Sequence, residues 1–148
     1  MFFIANHPIY NHPLPEGHRF PMLKYELLPK QLLHEGTAEC TDFYSPDSID
    51  LSLVHAVHTV SYVKALTELT LDAKAVRSIG FPLSAALVER ELRIAQGTVV
   101  GCNHALEHGI AFNIAGGTHH AFSDRGEAFC LLNDQAIAAQ YLIDQKKC

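Results

Sequence analysis

A short apolar run that ends in two glycines and two adjacent histidines constrains this chain more than any other segment. Residues 111–114 predict a buried strand, and Gly116 and Gly117 turn the chain where that strand ends. In open α/β sheets, ligands bind outside the carboxyl ends of the strands, which is where His119 and His120 follow. The side chain of histidine titrates closest to neutrality, so two on one loop can divide a base role from an electrostatic role. The pattern therefore favours a catalytic loop over an exposed turn that merely contains two histidines.

Short strand patterns alternate with helical ones along the rest of the chain, which predicts a parallel sheet. Residues 2–5 are wholly apolar and indicate a strand buried on both faces, and residues 38–44 indicate a second short strand. A helix is expected from Pro21 onward, interrupted at Pro29 and ended near Gly36.

Four further helices are expected from apolar periodicity and from capping residues. In chain order they carry Leu51 to Val57, Tyr62 to Leu66, Leu83 to Leu106 and Ile137 to Leu142. Asn133 or Asp134 can cap the last of them, and Gly109 closes the long helix. Gly97 and Gly101 lie inside the long helix, spaced so that a neighbouring segment can approach closely.

Composition narrows the classes of function that remain. The chain has 148 residues, enough for one domain with a sizeable core, and a net charge of −5 from 11 basic and 16 acidic residues. That balance offers no positive stripe for nucleic acid, and no apolar run approaches the length that spans a membrane. Residues 1–5 lack the charged region of a signal peptide, and the 4 cysteines form no C-x-x-C pair. A cytoplasmic protein with reduced thiols is expected, without nucleic-acid or membrane partners.

The segment 104–108 reads His-Ala-Leu-Glu-His and matches the H-x-x-E-H pattern of one group of metalloproteases. Both histidines would lie on one helical face, as zinc ligation with an intervening glutamate requires. Gly109 follows at once, so the second histidine sits at a helix end, and the protease needs a third protein ligand. A polar helix face is therefore the simpler interpretation.

Other histidines and one cysteine are weaker candidates. Four residues cluster in or beside the proline-rich loop after the first strand, either by chance or to line a pocket: His7, His12, His18 and Arg19. His55 and His58 are spaced for one helical face, and a solvated or partly buried face is preferred for them. Cys130 is expected to be a small buried hydrophobe rather than a nucleophile.

An ordered set of residues near the end of the chain resembles the histone deacetylase superfamily, including its bacterial acetoin-utilisation and acetylpolyamine-hydrolase relatives. The set is Gly116-Gly117-Thr118-His119-His120-Ala121, followed by Phe129-Cys130 and by Asn133-Asp134. Residues 11–28 also resemble the opening of the bacterial members, and Val57-His58 with Tyr62 resembles their next helical segment. The resemblance thus runs along nearly the whole chain.

The resemblance implies an α/β fold, a three-layer α/β/α arginase-like sandwich with a parallel central sheet, and zinc-dependent hydrolysis of an N-acetyl amide. The implied substrate is a small acetylated amine or an acetyl-lysine side chain. Carried onto this sequence, His120 is the general base and His119 is its electrostatic partner or acid. Phe129 forms a wall of the narrow channel for the acetyl-lysine stem, Gly117 shapes the loop, and Arg19 lies near the cavity floor.

The sequence departs from the family pattern in two places. Ala128 stands where the family usually has glycine before Phe-Cys, so its methyl group is expected to narrow the channel or restrict a backbone contact with substrate. The family's zinc ligands, an Asp-x-His pair and a later aspartate, lie beyond the Asn-Asp segment, as do the carboxylates that orient both histidines and the tyrosine that helps hold the oxyanion.

We therefore expect residues 1–148 to be the N-terminal portion of a single deacetylase domain. Its sheet would be incomplete at the C-terminus, it would contribute no metal ligand, and it would be inactive alone. Zinc would then belong to the complete enzyme. Two alternatives stay open: an H-x-x-E-H metalloprotease, and a non-catalytic interaction module that keeps the deacetylase fold without its chemistry.

Overall fold

The computed structural model describes residues 2–146, which fold as short parallel strands surrounded by helices. The strands are β1 (Ile4–Ala5), β2 (Phe43–Tyr44) and β3 (Phe112–Asn113). Their order in the sheet is β2-β1-β3, so the first strand of the chain is the central one. Ile4 pairs with Phe43 on one side and with Phe112 on the other, both in parallel register. The predicted α/β class and parallel sheet are confirmed.

Within the described residues, six α-helices separate and follow the strands, and all except the first begin where a side chain caps the backbone. They are α1 (Lys24–His34), α2 (Leu51–His55), α3 (Val60–Thr67), α4 (Ala73–Ile79), α5 (Ala85–His108) and α6 (Asp134–Asp144). The side chains that accept a hydrogen bond from a first-turn N–H are those of Asp50, Thr59, Asp72, Ser84 and Asn133. The expected helices are therefore present, and α4 is an addition that apolar periodicity did not indicate.

The first helix differs from its prediction at both of its prolines. Pro21 lies in a turn before the helix, in which its carbonyl accepts from the N–H of Lys24 at 3.2 Å. Pro29 lies inside α1 and does not interrupt it, so the predicted break at this proline is wrong. The side chains of Tyr25 and Pro29 are both buried, and this packing holds the helix together across the missing N–H.

The third strand also differs from its prediction. β1 is buried on both faces, with Ile4 at 4% and Ala5 at 0% exposure, as expected for a central strand. Phe112 in β3 is instead 49% exposed, so the predicted burial of that strand is wrong. The reason is position, because β3 forms an edge of the sheet within the described part of the chain.

The long helix α5 crosses the sheet at a glycine. A Cβ added to Gly97 would lie 2.9 Å from Asn113 Nδ2 and 3.0 Å from the Cβ of Ala5, which leaves no room for a side chain. Gly109 ends the helix in the left-handed conformation with φ of 91°. The predicted close approach at Gly97 and the predicted helix end are both confirmed.

The same helix buries an ion pair. Arg90 donates from Nε to the carbonyl of Tyr10 at 2.9 Å, and its guanidinium also pairs with Glu91. Burial raises the pKa of Glu91, and the neighbouring guanidinium partly offsets that rise. The rest of the core is mostly apolar and includes Leu87, Ile94, Leu131 and Ile137, although His58 and Asp134 are also buried. Within residues 2–146 no helix combines the length and the apolar character that crossing a membrane requires.

Candidate active site

The glycine–histidine loop leaves the carboxyl end of β3 through two glycines that each need the absence of a side chain. A Cβ on Gly116 would lie 2.9 Å from the Cβ of Asn113, the last residue of the strand. Gly117 has φ of 90°, a left-handed conformation that residues with a Cβ rarely adopt. The two glycines thus turn the chain sharply and deliver His119 and His120 to the end of the sheet.

The two predicted histidines lie side by side at the surface. Their ring centroids are 4.2 Å apart, and both residues are exposed. The Nδ1 atom of His119 is 2.8 Å from the carbonyl oxygen of Gly117. Because a carbonyl can only accept, Nδ1 carries the proton in this contact, and the Nε2 lone pair of the neutral ring is left free. The structure therefore brings together the two residues predicted to handle protons.

A buried carboxylate lies beneath this loop. Asp134 is the first residue of α6 and is 1% exposed. Its Oδ1 atom accepts from the N–H of Thr118 at 2.7 Å and from the hydroxyl of Thr118 at 2.9 Å. Its Oδ2 atom accepts from the N–H of Gly117 at 3.0 Å and from the hydroxyl of Thr98 on α5. Asp134 thus fixes the backbone immediately before the histidines. The N-cap of α6 is the preceding residue, Asn133.

That neighbour, Asn133, ties the loop to a buried histidine. Its side-chain amide donates to the carbonyl oxygens of His119 at 3.4 Å and Ala121 at 3.2 Å. Its backbone N–H donates to Nε2 of His58 at 3.0 Å. His58 is 1% exposed, so the prediction that it lies on a solvated or partly buried helix face is wrong. Burial lowers the pKa of His58, and the nearby backbone of Phe122 and Ser123 only partly opposes that change.

Phe129 projects from a tight hairpin whose backbone is left-handed at both central residues. Ala128 has φ of 48° and Phe129 has φ of 67°, the combination found in type I′ turns. Glu127 and Cys130 exchange backbone hydrogen bonds of 3.0 and 2.9 Å across the turn. The N–H groups of the two central residues donate to the carbonyls that close α4, with Phe129 reaching Ile79 at 2.7 Å. Ala128 therefore occupies a position where glycine is the unstrained residue.

Aromatic rings surround the side chain of Phe129. Its centroid is 5.0 Å from that of Phe20 and 5.1 Å from that of Phe81. The ring of His18 meets its edge at 6.1 Å, and the guanidinium of Arg19 lies 4.9 Å from its centroid. Two members of the histidine-rich loop after β1 therefore reach Phe129. Arg19 is exposed, and its predicted place near a cavity floor stays a prediction.

Three members of this neighbourhood were not indicated by the sequence reasoning: Phe20, Gly80 and Phe81. Gly80 has φ of 86°, and an added Cβ would lie 2.9 Å from the Phe129 ring. Its carbonyl also lies 2.9 Å from Nε2 of His18. The available signal was the Gly-Phe pair after an amphipathic segment, which marks a helix end followed by an apolar residue.

Cys130 connects the hairpin with the histidine loop. The backbone of His119 and His120 lies near enough to the thiol to oppose part of the rise in its pKa. The residue is 6% exposed, and burial raises the pKa of the thiol. A thiol with a raised pKa is a poor nucleophile at neutral pH, so the prediction of a small buried hydrophobe is confirmed.

The H-x-x-E-H segment has a different geometry from a metalloprotease site. His104 and His108 are neighbours on α5 with ring centroids 4.3 Å apart, but the ring of His104 stacks on Phe3 at 5.0 Å. The Nε2 atom of His104 is buried and has no hydrogen-bond partner. Glu107 points to solvent with 77% exposure. The structure supports a partly buried helix face here and gives no support to the protease alternative.

The described residues do not provide the donor set that zinc requires. Zinc sites take three or four converging nitrogen, sulfur or oxygen ligands. Within residues 2–146, no group of three or more His, Cys, Asp or Glu side chains is placed to hold a metal ion.

Sequence comparison connects these features with known proteins. Residues 18–148 match the family model of the histone deacetylase domain. An uncharacterized protein from Picosynechococcus sp. is 47% identical over 139 residues, which cover 94% of this chain and 46% of that protein. The acetoin utilization protein AcuC of Bacillus subtilis is 33% identical over 105 residues, covering 66% of this chain and 27% of that protein.

Structural comparison agrees with the sequence match. An HDAC homologue, whose crystal structure was determined in complex with SAHA, superposes with a TM-score of 0.81 at 23% identity. The superposition covers 97% of this chain and 41% of that chain, so the two share a fold. The chain spans less than half the length of each of these relatives.

Proposed function

Since the chain belongs to the histone deacetylase family, we propose that it supplies the proton-handling side of a centre that hydrolyses N-acetyl amides. The observation that carries the proposal is the pair of exposed histidines, whose ring centroids are 4.2 Å apart at the carboxyl end of the sheet. The substrate is an acetyl-lysine side chain or a small acetylated amine such as an acetylated polyamine.

Each histidine has a distinct part in the proposed reaction. His120 acts as the general base and takes a proton from the attacking water. His119 stabilises the developing charge or returns a proton to the leaving amine. The Gly117 carbonyl holds the Nδ1 proton of His119 at 2.8 Å, which leaves Nε2 of that ring for the reacting groups. Gly117 thus shapes the loop that carries both histidines.

The hairpin residues form the proposed substrate channel. Phe129 is half-buried against Phe20 and Phe81, so its ring is held rigidly enough to serve as one wall. The Ala128 methyl group lies at the exposed tip of the same turn, where the proposed acetyl-lysine stem enters. The guanidinium of Arg19 lies 4.9 Å from the centroid of the Phe129 ring, and we propose that Arg19 contacts the substrate.

Zinc is proposed as the cofactor of the complete enzyme, where it supplies Lewis-acid activation of the acetyl carbonyl. The described residues do not hold it, so its ligands are assigned to the part of the family domain that residues 1–148 do not match. Residues 1–148 taken alone are accordingly expected to bind no stoichiometric zinc and to release no acetate. Metal analysis of the purified 148-residue chain checks this, and tight zinc binding would contradict it.

The test of the proposed function is acetate release by the native full-length, zinc-loaded protein from an acetyl-lysine peptide and from an N-acetylated polyamine. His120→Ala is expected to lower kcat by a factor of about 100 to 10,000, which is the usual contribution of a general base. His104→Ala, which changes the H-x-x-E-H segment, is the matched control and is expected to leave the rate unchanged. Full activity in His120→Ala would contradict the proposed role of that residue, and no acetate release from either substrate would favour the interaction module.

A further inference from the structure

We propose that His18 is a positioning residue, which holds the side chain of Phe129 in place by tying the loop after β1 to the end of α4. The contacts themselves are properties of the folded chain. Only their catalytic meaning rests on the proposed function, in which Phe129 is a wall of the substrate channel. His18 acts through Phe129, so it is a positioning residue rather than a catalytic one.

The end of α4 anchors two segments that are distant in sequence. The last carbonyl groups of a helix have no partner within the helix, and three successive carbonyls are used here. Those of Ser78 and Ile79 accept from the two central N–H groups of the hairpin that carries Phe129, at 3.0 and 2.7 Å. The third, that of Gly80, lies 2.9 Å from Nε2 of His18. The hairpin and the loop are therefore attached to the same turn of the chain.

Two contacts of the His18 ring fix which nitrogen carries its proton. Nδ1 accepts from the N–H of Phe20 at 3.1 Å, so this nitrogen has the lone pair. A carbonyl oxygen can only accept, so Nε2 carries the proton and donates it to Gly80. The neutral Nε2-protonated ring therefore satisfies both neighbours, and every other protonation state loses at least one of the two contacts.

Aromatic packing extends this connection to Phe129. The ring of His18 stacks on that of Phe81, with centroids 5.7 Å apart, and meets the Phe129 ring edge-on at 6.1 Å. Phe20 lies 5.0 Å from Phe129 and 4.9 Å from Phe81, measured between centroids. Arg19 places its guanidinium 4.9 Å from the Phe129 centroid. His18 and the two residues after it thus support the Phe129 ring from the side of the loop.

The loop depends on such a contact because it has little regular structure of its own. Residues 11–23, all of which the structure describes, form no helix or strand. Segments of this kind are mobile unless their side chains contact neighbouring elements. Loss of the contact between His18 and α4 is therefore expected to separate Phe20 from Phe129. Phe129 would then keep its backbone anchor and lose the side-chain packing that fixes its ring.

Two substitutions separate the two contacts of the ring. In His18→Asn the side-chain oxygen can replace Nδ1 and accept from Phe20, as asparagine does in turns, but the side chain is too short to reach Gly80. In His18→Gln the longer side chain can place its NH₂ group near the position of Nε2 and donate to Gly80. The proposal predicts that His18→Gln retains the packing around Phe129 and that His18→Asn loses it. A role confined to the local turn predicts the reverse.

The packing is measured by NMR of the native full-length protein with ¹³C-labelled phenylalanine, in the absence of substrate. Nuclear Overhauser effects between the rings of Phe20 and Phe129 are expected in the wild type and in His18→Gln, and are expected to be lost in His18→Asn. His34→Asn changes an exposed histidine of α1 and is the matched control, which should retain them. Their retention in His18→Asn would overturn the proposal, as would their loss in both His18 variants.

Steady-state kinetics of the same variants relates the contact to the proposed reaction. A change in a channel wall weakens substrate binding and leaves the proton transfers in place, so His18→Asn is expected to raise KM about tenfold and to change kcat by less than about threefold. His18→Gln and His34→Asn are expected to keep the wild-type KM. A fall in kcat with unchanged KM in His18→Asn would overturn the positioning role.

A measurement on the wild type keeps the proposal testable if a variant does not fold. Long-range ¹H–¹⁵N correlation NMR at an alkaline pH, where histidine rings are neutral, is expected to show the Nε2-protonated form of His18 as the major tautomer. The Nδ1-protonated form as the major tautomer would overturn the proposal. The NMR experiments use no acetylated substrate, so a protein that shows these signals but releases no acetate would contradict only the proposed function.

Discussion

Ala128 has a Cβ but adopts a left-handed backbone conformation that favours glycine. Among single residues, it is the clearest case of conformational strain in the fold. Its φ of 48° is imposed by the hairpin, in which the N–H of Ala128 donates to Ser78 at 3.0 Å and that of Phe129 donates to Ile79. A left-handed conformation costs a residue with a Cβ about 1–2 kcal/mol. The hydrogen bonds to the end of α4 are what hold the residue there.

Replacing Ala128 by glycine is therefore expected to stabilise the fold. The relief of the left-handed strain exceeds the extra chain entropy of glycine, so the free energy of unfolding should rise by about 0.5–1 kcal/mol in urea titration. Ala139→Gly, at an exposed position within α6, is the matched control and should lower it by about 1 kcal/mol. A loss of stability in Ala128→Gly as large as that in the control would contradict the assigned conformation.

The sequence could identify this residue but not its conformation. Ala128 stood out because it replaces a glycine of the family pattern, and the histidines stood out because they follow a strand and two glycines. The φ of Ala128 depends on carbonyls of α4, and the burial of His58 depends on Asn133. Neither partner is near in sequence, so local pattern carries no signal of these contacts.

At the scale of elements, the crossing of α5 over the sheet depends on one glycine and not on its neighbour one turn away. A Cβ on Gly97 would lie 2.9 Å from Asn113 Nδ2 and 3.0 Å from the Tyr10 hydroxyl. A Cβ on Gly101 would have its nearest contact at 3.6 Å, with the Cβ of Ala111, which is ordinary packing. The two glycines therefore have different reasons to be present on the same helix.

Alanine substitution at these two positions should have opposite effects. Gly97→Ala is expected to push α5 away from β1 and β3 and to lower the free energy of unfolding by about 1–3 kcal/mol. Gly101→Ala fits without a clash and should raise it by up to about 1 kcal/mol, because alanine is the better helix former. Chemical denaturation of the two variants beside the wild type measures both effects. Equal effects of the two substitutions would contradict the position of the crossing.

Features that depend on residues close in sequence were predicted well. Features that depend on contacts with distant segments were not. Asn133 caps α6 at a predicted position, because a cap is a contact over two or three residues. The interruption at Pro29 was wrong because tertiary packing holds α1 together on both sides of that residue. The burial of β3 was wrong because the position of a strand within a sheet is set by other segments.

For the whole molecule, the burial of neutral histidines makes stability depend on pH. Burial lowers the pKa of three of them below the ordinary value of 6.5: His7, His12 and His58. The unfolded chain therefore binds more protons than the folded chain between that value and the lower folded pKa. The contribution of these histidines to stability is complete above about pH 6.5 and is lost as the pH falls toward the folded pKa values, by up to about 1.4 kcal/mol per pH unit for the buried His58 and by less for the more exposed His7.

The variant His58→Gln is expected to flatten this dependence. The glutamine oxygen can still accept from the Asn133 N–H, but the side chain takes up no proton, so one histidine's share of the slope disappears. Urea titrations of wild type and variant across pH 7 to about pH 5 measure the difference. His34→Gln changes an exposed histidine of α1 and should leave the slope as it is. An unaltered slope in His58→Gln would show that folding does not keep that ring neutral.

The central place of β1 also has a consequence for how the protein is made. Ile4 is synthesised well before its strand partners Phe43 and Phe112. Loops that long close slowly, and β1 cannot pair with β3 until Phe112 has been synthesised. During translation β1 is therefore an exposed hydrophobic segment and a candidate client for chaperones that bind nascent chains.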